Sequence, residues 1–231
     1  MKRKKKKIGT VILSVLALTV ITLLGLMCYK QYLRIDELNN IEGEWVRELD
    51  LSGKASSEAY KFLNTANGIS LSQDEISEAM KDVKVDVTLK FTKSGYHTGN
   101  WSESLSKEDY DIARDLAYDT LSSYMRNMIA QRAVAAGYTL SDEELDEKIN
   151  EAFGCDLKEY FLTNGPILLD DFDTLNVEIN RSGTYEVFNG ELIRYFNGVS
   201  YGTSFSKTQN SLIIDETTEN GMRTYLYAFK G

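Results

Sequence analysis

Three Asn-Gly pairs, Asn189-Gly190, Asn197-Gly198 and Asn220-Gly221, constrain this chain more than any other feature. Asn-Gly tolerates the positive φ angles of a type I′ turn, so each pair reads as the tip of a β-hairpin. The segments between and after them, Glu191–Phe196, Val199–Ser206, Ser211–Thr217 and Met222–Phe229, are rich in β-branched and aromatic residues. Strands this closely spaced form an antiparallel meander and leave no room for βαβ crossovers. Upstream, Val85, Val87, Leu89 and Phe91 alternate with polar residues, the period-2 pattern of a half-buried strand. A turn at Lys93-Ser94-Gly95 then predicts a return over Tyr96–Trp101. Leu175, Val177 and Ile179 alternate in the same way before Arg181-Ser182-Gly183, which predicts a strand, a turn and a return over Thr184–Phe188.

Between these strands the texture is helical. Ser106-Lys107-Glu108-Asp109 resembles a capping box and opens a helix that Gly137 ends, with Ile112, Leu116, Met125, Met128 and Ile129, and Ala113, Ala117 and Tyr124, at helical spacings. Ser141-Asp142-Glu143-Glu144 is a second capping box, stapled by Leu140 and Leu145, for a helix to Ala152. A short helix follows near Asp156-Leu157-Lys158-Glu159, and another is capped earlier by Ser72-Gln73-Asp74-Glu75. The only proline, Pro166, marks the exit from the helical region. The expected fold is therefore α+β: an antiparallel β domain over 43–231 carrying a helical insertion at about 106–165.

The N-terminus is of another kind. Ile8–Cys28 holds 21 residues without a charge. As a helix it is about 31 Å long, close to the hydrocarbon thickness of a bilayer. Lys2, Arg3 and Lys4 to Lys7 precede it, which predicts a cytosolic basic tail (1–7), a transmembrane helix (8–28) and a polar, partly helical stalk (29–42) leading to an extracytoplasmic domain. A cleaved signal peptide is the rival, but Leu26-Met27-Cys28-Tyr29 offers no small-residue cleavage site. A lipoprotein acylated at Cys28 would want a small residue where Met27 stands and leucine where Gly25 stands.

Beyond the apolar run, residues 29–231 carry 20 Lys and Arg against 35 Asp and Glu, a net charge of -15. So acidic a domain excludes nucleic acid as a partner and is expected to stay off anionic lipid. Two cysteines, Cys28 and Cys155, cannot make a disulfide framework, and their scarcity in an exported domain fits a bacterial cell surface.

Ile41-Glu42-Gly43-Glu44-Trp45, followed by antiparallel strands containing Phe91-Thr92-Lys93-Ser94-Gly95-Tyr96 and Gly183-Thr184-Tyr185-Glu186-Val187 and ending near Ser211-Leu212-Ile213-Ile214, resembles the small lipocalin-like domains of exported bacterial proteins. The resemblance implies an up-and-down β-barrel whose first strand starts at Gly43, a structural plug made by Trp45, and a basic residue from the last strand packed on it, for which Arg223 is the candidate. It covers about 110 of the external residues. A small hydrophobic ligand or a protein partner is what it implies, although helices between the first two strands and after Trp101 depart from the pattern. Separately, Met128–Tyr160 is similar to helical regions of exported peptidyl-prolyl isomerase chaperones, which gives an alternative chaperone-like or assembly role through the insertion.

The chemistry-bearing residues form no recognisable catalytic set. His97 is the only histidine, no Gly-x-Ser-x-Gly accompanies it, and an exposed strand position is the expectation. Cys155 follows Gly154 at the start of a short helix, where an ordinary small residue between two helices is the expectation and a thiol activated by the helix N-terminus the rival. Asp170, Asp171 and Asp173 form an acidic cluster without EF-hand spacing. Tyr185, Tyr195, Tyr201, Tyr225 and Tyr227 line strands and either pack a core or border a mouth. No Gly-rich phosphate loop, cofactor motif or metal ligand set is present, so the reading is a non-catalytic binding or interaction module with no cofactor.

Overall fold

A computed structural model describes residues 2–67, 72–188, 190–218 and 221–230. A long helix, α1 (Lys2–Asn39), leads into β1 (Gly43–Asp50), then α2 (Ser52–Asn67) and α3 (Gln73–Ala79). The β2 (Lys84–Gly95) and β3 (Thr98–Leu105) strands follow, then α4 (Lys107–Ala135), α5 (Asp142–Phe153), α6 (Leu157–Asn164) and α7 (Phe172–Ile179). The chain ends with β4 (Arg181–Phe188), β5 (Glu191–Phe196), β6 (Val199–Lys207), β7 (Ser211–Thr218) and β8 (Gly221–Phe229). The eight strands pair in sequence order and close into a barrel, the up-and-down architecture of lipocalin-like proteins. Closure leaves no unpaired sheet edge.

The chain divides into two compact units, and barrel strands contribute to both. The first holds residues 1–43, 91–100 and 184–229. Here the hairpins behave as their turn residues require. Asn197 and Gly198 have φ of 50° and 78°, the doubly positive pair of a type I′ turn, and Phe196 pairs with Val199 across it. Asn189 and Asn220 lie outside the described residues. Pleating then sorts the side chains: Leu192 and Arg194 are buried while Glu191 and Tyr195 are exposed.

The second unit holds residues 44–90 and 101–183, with Lys230. Its core joins Val85 and Val87 of β2 to Ala55, Ala59 and Leu63 of α2, Tyr110, Ala117 and Leu121 of α4, and Leu145, Leu157 and Phe161 of α5 and α6. Capping sets the helix starts. The Ser106 hydroxyl accepts from the Asp109 N–H, and Ser141 and Glu144 form the full reciprocal box. Gly154, at φ 78°, ends α5 in the left-handed region.

Several expectations need correction. Residues 172–179 are helical, not a strand. Asp171 caps them by accepting from the Thr174 N–H, Leu175 and Ile179 share one face and pack into the core, and Val177 is 79% exposed. An i, i+2, i+4 apolar set satisfies a short helix once its outer members are i and i+4. Arg181-Ser182-Gly183 consequently starts β4 and does not turn. The strand from Lys84 runs through Gly95, which moves its turn to Tyr96-His97. On α4 the buried line is Tyr110, Ala113, Ala117 and Leu121, whereas Ile112 is 62% exposed. Ser72 occupies the N-cap of α3 without a side-chain capping bond. The segment read as a partly helical stalk is helical as far as Asn39, as a continuation of α1.

Candidate functional site

Pleat parity shows what the strands aim inward. In the second unit, Arg47 follows Trp45 by two residues, Glu103 follows Trp101 by two, and Arg181 precedes Tyr185 by four, so all three share the buried side of their strands. Arg47 Nη2 and Arg181 Nη2 donate to the two oxygens of Glu103, at 3.3 and 3.0 Å. The Glu103 side chain is 3% exposed. Two guanidiniums thus grip one buried carboxylate, the condition under which such a charge is tolerated.

In the first unit the register extends the same logic. Tyr185 stands opposite Arg194, Arg194 opposite Tyr201, Ile214 opposite Tyr225, and Glu216 opposite Arg223. Residues directly opposite share a face, so these side chains belong to the inner side with buried Leu192, Leu212 and Tyr227. Arg194 is buried and donates from Nη2 to Glu216 Oε1. Above this pair the inner side opens: Tyr201 is 48% and Val199 51% exposed despite facing inward. The first unit therefore carries half-exposed, inward-facing Tyr201 and Val199 next to a buried Arg194 paired with the half-buried Glu216. Tyr195 is the outward exception, its hydroxyl donating to Glu186 at 2.7 Å, which raises the phenol's pKa.

The other end of these strands is occupied by the end of α1. His97, expected in an exposed strand, is instead a buried turn residue at φ 55°, with Nε2 3.3 Å from Asp36 Oδ1. Its carbonyl accepts from the Val187 N–H. Lys207 Nζ donates to the Glu37 carbonyl, and burial pushes this ammonium's pKa down. Tyr96 shares a hydrogen bond with Tyr32, which, with burial and the charge of Asp36 behind it, pushes its phenol up to about 12. Ile41, two residues beyond the end of α1, is fully buried.

Of the expected plug residues, Gly43 has φ of 128° and a Cβ there would meet the Phe229 ring at 2.5 Å, so glycine is required on both counts. Trp45 is fully buried. Arg223 is exposed, opposite Glu216 in the β7–β8 ladder.

The remaining candidates are engaged elsewhere. Cys155 is half-buried between α5 and α6, and burial with the charges of Glu159 and Asp156 raises its pKa, which goes against the rival reading of a thiol activated by the helix terminus. Asp170 pairs with Lys54, and Asp171 caps α7, accepting from Thr174 N–H and Oγ1. Among the described residues no group of three His, Cys, Asp or Glu side chains is placed to hold a metal. A cleft of about 390 Å³ between α4, α5 and α6 is lined by Ser122, Arg126, Asp146, Asn150 and Lys158. Its cations are already paired, Arg126 with Asp142 and Asp146 and Lys158 with Asp119.

The inner Arg47, Glu103, Arg181, Arg194 and Glu216 were not singled out from the sequence. A signal was there for two of them: Arg47 and Glu103 each stand two residues after a strand tryptophan and so have the parity of the core. No family model matches the chain, and no curated protein matches it. Among solved structures it is similar to a mutant of the fluorescent protein UnaG, at 8% identity over 82% of this chain and 95% of that one, with a TM-score of 0.29.

Proposed function

We propose that this protein is a membrane-tethered, extracytoplasmic binding module whose barrel mouth takes a small amphipathic ligand, without catalysing a reaction. The observation that carries the reading is the inward-facing but half-exposed Tyr201, opposite a buried Arg194 that is paired with the half-buried Glu216. Concave sites of this make-up, aromatic walls with a few fixed polar groups, are how proteins bind small molecules. Tyr225, on the same face, extends the wall. The helix α1 supports the tether, because from Leu16 on it is long and apolar enough to cross a membrane and none of that segment is buried in the protein. The preceding lysines favour a cytosolic N-terminus, and Gly43 and Trp45 act as the plug of a lipocalin-like barrel. The chaperone-like alternative is left with separate exposed positions such as Ile112, Leu116 and Val134, since Tyr110, Ala117, Leu121, Leu145 and Phe161 of the same helices lie in a core.

The test is a ligand-observed magnetic resonance screen of small aromatic acids, alcohols and amines against full-length protein in nanodiscs. Binders are expected whose affinity falls at least about tenfold in Tyr201→Ala, the loss of one well-packed aromatic contact. A screen without binders, or binders indifferent to Tyr201→Ala, refutes the mouth.

A further inference from the structure

The helix α1 is a depth gauge for the strands it touches. It runs as one helix from Lys2 to Asn39, and its contacts with the barrel begin only four residues beyond the charge-free run that ends at Cys28. Tyr32 meets Tyr96, Asp36 meets His97, and Glu37 meets Lys207. Tyr32 and Asp36 are one helical turn apart on the same face, so these contacts fix the turn between β2 and β3 along the helix and do not merely graze it. Tyr96, at the tip of that turn, lies on the side of His97 nearer the apolar run.

The distances then decide where the turn falls. Four residues of helix rise about 6 Å. A bilayer's polar layer adds roughly 5–7 Å on each side of a hydrocarbon core of about 30 Å. A charge-free run of about 31 Å fills that core, which leaves Tyr32, and Tyr96 bonded to it, inside the polar layer. The side chains at this level are the ones that region favours. Tyr29, Tyr32 and Tyr96 are 59%, 52% and 62% exposed, and Lys30 and Arg34 stand between and after the first two. Amphipathic phenol rings collect at the membrane–water boundary, and basic side chains snorkel to it.

We infer that the β2–β3 turn rests in the lipid headgroup layer with Tyr96 at its tip, so that the barrel is seated on the bilayer surface and is not held away from it by a stalk. The inference rests on the proposed crossing of the membrane by α1. It also qualifies the expectation that an acidic domain stays off the membrane, since the contact is made by tyrosines. The lipid surface is the occupant because the apolar run and the turn belong to one continuous body, with no linker between them.

The experiment uses full-length protein in nanodiscs, with Cys28→Ser and Cys155→Ser as background. A single cysteine carrying a nitrobenzoxadiazole fluorophore is placed by Ser94→Cys, Tyr96→Cys, Leu24→Cys or Ser200→Cys. Quenching is read from phosphatidylcholine bearing a nitroxide in the headgroup or deep in the acyl chain. The expected result is acyl-chain quenching at Leu24→Cys, and headgroup quenching at Ser94→Cys and Tyr96→Cys at least threefold above Ser200→Cys. Acyl-chain quenching at Leu24→Cys with Ser94→Cys no higher than Ser200→Cys overturns the seating and leaves the crossing intact. Absence of acyl-chain quenching at Leu24→Cys overturns the crossing, and the seating with it. Ser94→Cys leaves the Tyr96–Tyr32 contact in place, so the answer does not depend on the tyrosine variant folding.

Discussion

Replacing Glu103 by glutamine keeps its shape and removes its charge. The surroundings of that side chain set the cost. Glu103 is 3% exposed in its side chain, and its two oxygens accept from Arg47 at 3.3 Å and Arg181 at 3.0 Å. At an effective dielectric of about 20, each contact is worth a gross attraction of roughly 5 kcal/mol. Most of that is offset by the cost of taking three charges out of water. The net penalty of removing one member of a buried ionic group is about 3–5 kcal/mol, because the partners stay charged and stranded. Arg181 is 38% exposed and can recover some hydration, which places Glu103→Gln at the lower end, about 3 kcal/mol. Urea unfolding in mild detergent, followed by the fluorescence of buried Trp45 and Trp101, reads this directly. With a slope of about 2 kcal/mol per molar, the midpoint falls by roughly 1.5 M. The combined Arg47→Met, Glu103→Leu and Arg181→Met variant is expected to recover most of the loss, since an all-apolar replacement strands no charge. A Glu103→Gln midpoint within about 0.3 M of wild type would refute the reasoning, as would a triple variant weaker than the single one.

Three further outcomes concern single positions. Gly99→Ala puts a Cβ against the Thr92 carbonyl oxygen and 2.8 Å from the Tyr185 ring, and should cost at least about 2 kcal/mol in the same unfolding assay. Ser141→Ala removes one half of the α5 capping box and should cost about 1 kcal/mol, with exchange of the Glu144 amide accelerated in hydrogen-exchange measurements. The Asp50 carboxylate accepts from the Ser52 hydroxyl and N–H, which holds its pKa below the usual range against the opposing effect of burial. A depressed carboxyl stabilises the fold above its unfolded value, near about 3.9, and loses that contribution as pH falls through the folded value. Asp50→Asn should therefore flatten the acid limb of a stability profile measured from about pH 5 to pH 2.

The hairpins were legible because their turn residues act locally. Asn197-Gly198 needs nothing beyond its own φ angles to turn the chain, and the strand limits on either side are set by it. The α5 start was legible for the same reason, with Ser141 and Glu144 three residues apart. What escaped depends on partners far along the chain. The 172–179 segment reads as a strand until the Asp171–Thr174 cap and the packing of Leu175 and Ile179 settle it as helix. Tyr110 takes the core position for which Ile112 competes because its hydroxyl reaches the Asp170 carbonyl, 60 residues on. The inner ion pairs stayed hidden because Arg47, Glu103 and Arg181 come from three strands. Nothing local to any of them announces the other two.

From Met27 to Asn39, α1 contains neither glycine nor proline, so nothing lets its two halves swivel. The greasy half and the turn it braces are phased like teeth on one gear. Slipping a single extra residue in between Cys28 and Tyr32 would rotate one half against the other by about 100° and lengthen the gap by only about 1.5 Å. Which way the Tyr201 opening looks, measured as an azimuth about that axis, is thus written in the count of residues there.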